Sequence, residues 1–211
     1  MSTFKALFHL YNQFGLFTGI WTVIRVFILP YKKIEELIPK KGSVIDIGCG
    51  NGGFTNYLSY RSPQRRITGV DLSKKRISLA KKSVGTRKNI TFLHGNAVTI
   101  KLPKTDCYLV VDVLHHIPYK GQELLLTFLA KQLRNNSRLI IKEVDPLNRL
   151  PFLFGHIIEK ILYPKETIYE RTKQEWIQLF VKLGLSYSVD GGVFYFPDST
   201  CIFTLRKRGI K

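Results

Sequence analysis

The stretch Ser43-Val-Ile-Asp-Ile-Gly-Cys-Gly-Asn-Gly-Gly53 decides the fold. Its first five residues form a short apolar run of the kind that makes a buried strand, and the glycines that follow force a tight turn. Asn51 to Arg61 then reads as a helix. Downstream the same unit recurs. Arg66-Ile-Thr-Gly-Val70 is a second strand ending at Asp71, and Ser73 caps a helix in which Ile77, Ala80 and Val84 share a face. Ile90 to Leu93 is a third strand, and Cys107-Tyr-Leu-Val-Val-Asp-Val113 a fourth, with the continuous apolar character of a strand buried on both faces. A leucine-rich helix over Glu123–Leu133 precedes a fifth strand, Arg138–Val144.

Strand alternating with helix from Ser43 to Val144 predicts an α/β fold: a doubly wound, Rossmann-like, mostly parallel sheet. Thr172-Lys-Gln-Glu175 is a capping box that opens a helix with Trp176, Leu179, Phe180 and Leu183 as its apolar stripe. Three strand-like segments close the chain, at Ser186–Val189, Val193–Phe196 and Cys201–Leu205. Too few residues separate them for crossover helices, so they are expected to pair antiparallel at one edge of the sheet. Residues about 146–171 interrupt the alternation. The segment Phe152–Tyr163 reads as a helical insertion capping the carboxyl ends of the strands, where ligands bind in such sheets.

Gly48, Gly50 and Gly53 satisfy the G-x-G-x-x-G pattern of dinucleotide sites, so a nicotinamide or flavin cofactor has to be weighed. Asp46 separates the alternatives. A carboxylate two residues before the first glycine would repel a pyrophosphate, but it suits S-adenosylmethionine, which carries an ammonium and a sulfonium and no phosphate. Glycine then lets the backbone approach the methionine and ribose portions closely. Asp71, at the end of the second strand, is placed to accept ribose hydroxyls, a role an acid at this spacing has with either cofactor.

Val44-Ile-Asp-Ile-Gly-Cys-Gly-Asn-Gly-Gly53, Gly69-Val-Asp-Leu72, Gly95-Asn-Ala97 and Val111-Asp-Val-Leu-His-His-Ile117 together resemble the ordered motifs of class I S-adenosylmethionine-dependent methyltransferases. The resemblance covers residues 40–145. It implies that Asp46, Gly48 and Gly50 line the methionine end of the cofactor, with Cys49 among the cofactor-binding positions, that Asp71 and Leu72 hold the ribose and adenine, that Asn96 and Ala97 meet the adenine edge, and that Asp112 begins the wall facing the methyl group. Asn96 stands where the family usually has Asp; its carbonyl oxygen can still accept from the adenine amino group. A looser resemblance extends to small methyltransferases of lipid and aryl-polyene pathways.

Methyl transfer from a sulfonium needs an aligned nucleophile and, for many acceptors, removal of a proton. His115 and His116, following the fourth strand, are the first candidates for a general base or substrate-orienting group. Glu143 and Asp145 at the end of the fifth strand are the next, and Arg149 is a candidate clamp or a structural partner of Glu143. No Asn-Pro-Pro-Tyr-like signature of base methylation is present.

Composition narrows the partners. Cys49, Cys107 and Cys201 are far apart, with no C-x-x-C spacing, which points to a reducing, cytoplasmic setting without a zinc site or disulfide framework. The net charge of +18 implies attraction to something acidic: nucleic acid, an anionic membrane surface or an acidic substrate. Much of it lies between Arg61 and Lys88, where Asp71 is the only acid. Residues 1–38 form a separate aromatic, amphipathic helical segment ahead of a domain spanning 39–211. Phe4, Phe8, Tyr11, Phe14, Phe17, Trp21 and Phe27 fall at helical spacings. The apolar part is shorter than a bilayer span, is interrupted by Arg25 and has no cleavage site behind it. A helical lid, an interfacial membrane helix and a membrane anchor all fit this segment. A hydrophobic small-molecule or lipid-like acceptor is the leading expectation. The alternatives are an RNA methyltransferase using the basic face and a non-catalytic cofactor-binding module.

Overall fold

The structure, a computed structural model, describes residues 3–147, 167–191 and 200–209. Most of the expected helical insertion, Arg149 and the expected strand Val193–Phe196 lie outside those residues. Seven strands make one sheet in the order β3-β2-β1-β4-β5-β7-β6. They are β1 (Gly42–Ile47), β2 (Arg65–Asp71), β3 (Ile90–His94), β4 (Cys107–Val111), β5 (Arg138–Val144), β6 (Leu185–Gly191) and β7 (Thr200–Lys207). The sheet is mostly parallel: β1 pairs with β2, and β2 with β3, in parallel register. The edge is antiparallel, as the short connections require. Leu139 of β5 lies opposite Leu205 of β7, and Leu185 of β6 opposite Lys207. The chain divides into two compact units, Met1–Leu109 and Val110–Lys211.

The first unit holds helices α1 (Thr3–Asn12), α2 (Leu16–Ile28), α3 (Tyr31–Leu37), α4 (Gly53–Arg61) and α5 (Lys74–Lys82). Val44, Ile45 and Ile47 of β1 are buried, and Ile77 and Ala80 of α5 pack on Ile90 and Phe92 of β3. Ser73 caps α5, accepting from the Arg76 N–H at 3.3 Å. The N-terminal aromatic stretch is two helices rather than one. Gly15 has φ +118°, a conformation that L side chains rarely adopt, and it turns the chain between them. Gly19 completes the hairpin, because a Cβ there would sit 3.0 Å from the Asn12 Cα. Leu7 and Tyr11 of α1 are buried.

Not all of the basic run faces solvent. The Arg65 side chain is fully buried and lies 2.8 Å from Glu35 of α3, whose side chain is 1% exposed. Arg65 Nε also donates to the Pro39 carbonyl at 2.8 Å. Burial pushes the Glu35 carboxyl up, but hydrogen bonds from Lys40 and Arg65 outweigh it and hold the group below its ordinary value. Glu35→Ala strands the Arg65 guanidinium in the interior and is expected to cost about 3–5 kcal/mol, read as a lower urea midpoint.

The second unit holds a 3-10 turn at Leu114–His116 and helices α6 (Tyr119–Gln132) and α7 (Lys173–Lys182). β4 ends at Val111, two residues before the sequence predicts, because Asp112 leaves the strand with φ +54°. The capping box of α7 forms in full: Thr172 accepts from the Glu175 N–H, and the Glu175 side chain reaches back to the Thr172 N–H at 2.7 Å. Trp176 and Phe180 of α7 stack on each other, and Phe180 meets Phe203 of β7 edge to face, in the core of this unit.

Candidate active site

In the first unit the candidate residues gather on the turns that leave β1, β2 and β3. Gly48 and Gly50 both have positive φ, at 72° and 55°. A Cβ built at Gly50 would meet nothing within 4 Å, so the turn presents bare backbone to open space there. Asp71 holds the turn in that shape. One of its carboxylate oxygens accepts the Gly50 N–H at 2.9 Å and the other the Ser73 N–H at 2.8 Å. Each oxygen retains a lone pair, so these bonds do not exhaust Asp71 as an acceptor.

Asp46 is buried at 3% exposure, and its Oδ2 accepts from the Thr55 hydroxyl at 2.6 Å. Burial pushes its carboxyl up to about 7; the Thr55 hydrogen bond lowers it, and the negative charge of Asp71 raises it further. A carboxylate so destabilised as an anion is a receptor for a cation. Cys49 is also raised, by burial first and then by Asp46 and Asp71, and stays a thiol. Leu72 is 67% exposed, and its carbonyl lies 3.0 Å from His94 Nε2. Asn96 folds into its own turn, with Oδ1 accepting the Val98 N–H at 3.1 Å, and Ala97 beside it is buried.

Two contacts at the glycine turn have no signature in the sequence. The Tyr11 hydroxyl of α1 donates to the Asn51 carbonyl at 2.7 Å and accepts from Asn56 Nδ2 at 2.8 Å. Thr22 of α2 lies against Gly53, where a Cβ would be 3.6 Å from the Thr22 methyl. The N-terminal hairpin therefore backs the turn directly.

In the second unit Asp112 is the only non-glycine residue with positive φ among the described residues, and its Oδ1 lies 2.5 Å from Lys142 Nζ, a fully buried ammonium. Conformations of this kind concentrate at functional sites. His115 and Glu143 come together. His115 Nδ1 is 2.6 Å from Glu143 Oε2, and both side chains are buried. The other carboxylate oxygen accepts the Val113 and Leu114 N–H groups at 3.2 and 2.8 Å, so Glu143 also fixes the loop that carries the histidine. A cavity of about 10 Å³, room for roughly one water, lies beside the pair, lined by His115, Glu143, Val144, Glu170, Arg171 and Trp176. Gln122 of α6 ties the loop to the chain entering α7, donating to the Leu114, Ile117 and Tyr169 carbonyls and accepting from Arg171 Nε. His116 is half-buried with its ring 4.2 Å from that of His115. Asp145 accepts from the Leu147 N–H at 3.2 Å. A groove of about 810 Å³ lies elsewhere in this unit, lined by Lys131, Leu183, Lys207 and Arg208 among others, and contains none of the candidate residues.

Residues 44–136 match the family described as a methyltransferase domain. The chain is 30% identical over 105 residues to (S)-coclaurine N-methyltransferase of Thalictrum flavum subsp. glaucum, covering 48% of this chain and 28% of that protein. It is 27% identical over 111 residues to fatty-acid O-methyltransferase of Mycolicibacterium smegmatis, covering 51% and 39%. The chain thus spans less than half the length of these curated relatives. Among solved structures, magnesium protoporphyrin IX methyltransferase from Synechocystis PCC 6803 with bound SAH superposes with a TM-score of 0.68 at 20% identity, over 88% of this chain and 85% of that one, and shows the same fold. The residues at the turn fit S-adenosylmethionine: a cation-seeking Asp46, an uncovered Gly50 and a second carboxylate at the end of β2.

Proposed function

We propose that the chain transfers a methyl group to a hydrophobic small-molecule or lipid-like acceptor, met in the cytoplasm at an anionic membrane surface. The observation that carries the chemistry is the buried His115–Glu143 pair at the carboxyl ends of the strands. In this reading Asp46, Gly48, Cys49 and Gly50 hold the methionine end of S-adenosylmethionine, and Asp71 and Leu72 the ribose and adenine. Asn96 and Ala97 meet the adenine edge, and Asp112, fixed by Lys142, borders the methyl group. When bound, the cofactor supplies an electrophilic methyl carbon and leaves as a neutral thioether.

The chain's own residues manage the proton. Nδ1–H of His115 donates to Glu143, which leaves the basic lone pair on Nε2. Nε2 would take the proton of the acceptor's O–H, and Glu143 would steady the resulting imidazolium. His116 orients the acceptor. The fatty-acid O-methyltransferase relative supports a hydrophobic acceptor.

The direct test is to incubate the protein with S-adenosylmethionine and a panel of fatty acids, phenols and quinols, reading S-adenosylhomocysteine and methylated product by mass spectrometry. Product from one of these classes is expected. No turnover with any acceptor or with a metabolite extract, alongside intact cofactor binding, would make the protein a binding module instead. A second reading, RNA methylation, draws on the exposed Lys74, Lys75, Lys81, Lys82 and Lys88 on and after α5. It requires methyl transfer to bulk RNA and binding that weakens steeply with salt. For the cofactor roles, Asp71→Ala is expected to weaken S-adenosylmethionine binding about ten-fold or more, since charge-assisted hydrogen bonds are lost. Unchanged affinity in a calorimetric titration would remove Asp71 from the site.

A further inference from the structure

The helices of the N-terminal hairpin have one inner and one outer side. On α2 the inner side is Gly19, against Asn12 of α1, with Thr22 against Gly53 and the buried Val26. At about 100° per residue these three fall within an arc of about 60°. Leu16, Phe17, Ile20 and Ile24 occupy a separate arc about 100° wide, and the structure leaves them 62%, 75%, 43% and 38% exposed. Phe4 at the start of α1 is 38% exposed as well. A continuous apolar stripe of this size, open to water, marks an interaction surface.

We infer that this outer face of α2 docks the protein on a lipid bilayer rich in anionic headgroups. Charge selects the occupant. Residues 1–34 contain no Asp or Glu, while Lys5, Arg25, Lys32 and Lys33 supply four cations. Two copies joined through this face would bring like charges together, whereas an anionic headgroup layer neutralises them. Length selects the mode. α2 has 13 residues, about 20 Å, and no described helix is long and apolar enough to cross a membrane. The helix therefore lies in the interface with its stripe in the acyl boundary. Through Tyr11 and Thr22 the same hairpin backs the cofactor turn, so docking seats that turn close to the bilayer surface. The inference extends the reading of a hydrophobic acceptor, and its test stands apart from that reading because vesicle binding needs no acceptor.

The full chain is floated with vesicles of about 30% phosphatidylglycerol in phosphatidylcholine and with vesicles of phosphatidylcholine alone. Association with the first and little with the second is expected. The double variant Phe17→Ser, Ile20→Ser should lower partitioning about ten-fold or more, with unchanged thermal midpoint and S-adenosylmethionine affinity, since both side chains lie outside the packed face. Lys32→Glu with Lys33→Glu should weaken binding to the anionic vesicles. No association of the native chain overturns the inference. So does equal binding by the serine variant, which would put the contact on the basic residues of α5. A native dimer that the serine variant dissolves, without vesicle binding, would show that a second copy covers the stripe.

Discussion

Asp46→Asn is expected to stabilise the cofactor-free protein at pH 8 and to weaken S-adenosylmethionine binding at the same time. The carboxyl of Asp46 is pushed from its ordinary 3.8 up to about 7 by burial. Below pH 3.8 it is protonated in both folded and unfolded chains and contributes nothing to the balance. As pH rises from there to 7, the unfolded chain releases the proton while the folded chain keeps it, so the folded state loses stability across that window. The loss amounts to about 4 kcal/mol above pH 7. Asparagine avoids it, and its side-chain oxygen still accepts from Thr55. The thermal midpoint of the variant should therefore exceed that of the native protein at pH 8 and match it near pH 4.

Cofactor binding runs the other way. An ammonium and a sulfonium favour the ionised carboxylate, so the native protein should gain roughly ten-fold in affinity between pH 5.5 and 7. The variant should bind weakly at both. Calorimetric titrations at the two pH values decide the matter: equal slopes for the two proteins would mean that Asp46 does not face the cofactor's charge.

The second large effect is expected at the His115–Glu143 pair. Glu143→Gln preserves shape, and its amide oxygen can still accept the Val113 and Leu114 N–H groups. Its NH₂ then faces His115 Nδ1, which must become an acceptor, and the proton moves to Nε2, where the base is needed. Methyl transfer to a hydroxyl acceptor should fall about 10²–10⁴-fold, with cofactor affinity and thermal midpoint little changed. His115→Ala should fall by a similar factor. A Glu143→Gln protein with native turnover would show that acceptor positioning alone drives the reaction.

Most of the sheet was legible because its signals are local. The apolar runs of β1, β2 and β5, the cap at Ser73 and the box at Thr172–Glu175 each lie within one turn of what they specify. The antiparallel edge followed from connections too short for a helix. The break at Gly15 was not legible, because aromatic spacing continues across it and a single glycine is compatible with a continuous helix. Arg65 read as part of a basic face; its burial depends on Glu35, 30 positions away. The glycine turn and Asp71 were readable as a motif, whereas Tyr11, Thr55 and Lys142 enter only through contacts that folding makes. At His115 and Glu143, 28 residues apart, the residue types suggested the chemistry, and the pairing of β4 and β5 as neighbours brings them within 2.6 Å.

The Tyr11 hydroxyl also bears on how the hairpin can be studied. A shortened protein beginning beyond residue 28 would leave the Asn51 carbonyl and the Asn56 amide each short of one partner. Such a deletion would remove the lipid-facing stripe and loosen the glycine turn in one cut. Any loss of activity would then have two causes that no assay on that protein could separate. Point changes confined to the outer arc of α2 keep the two apart.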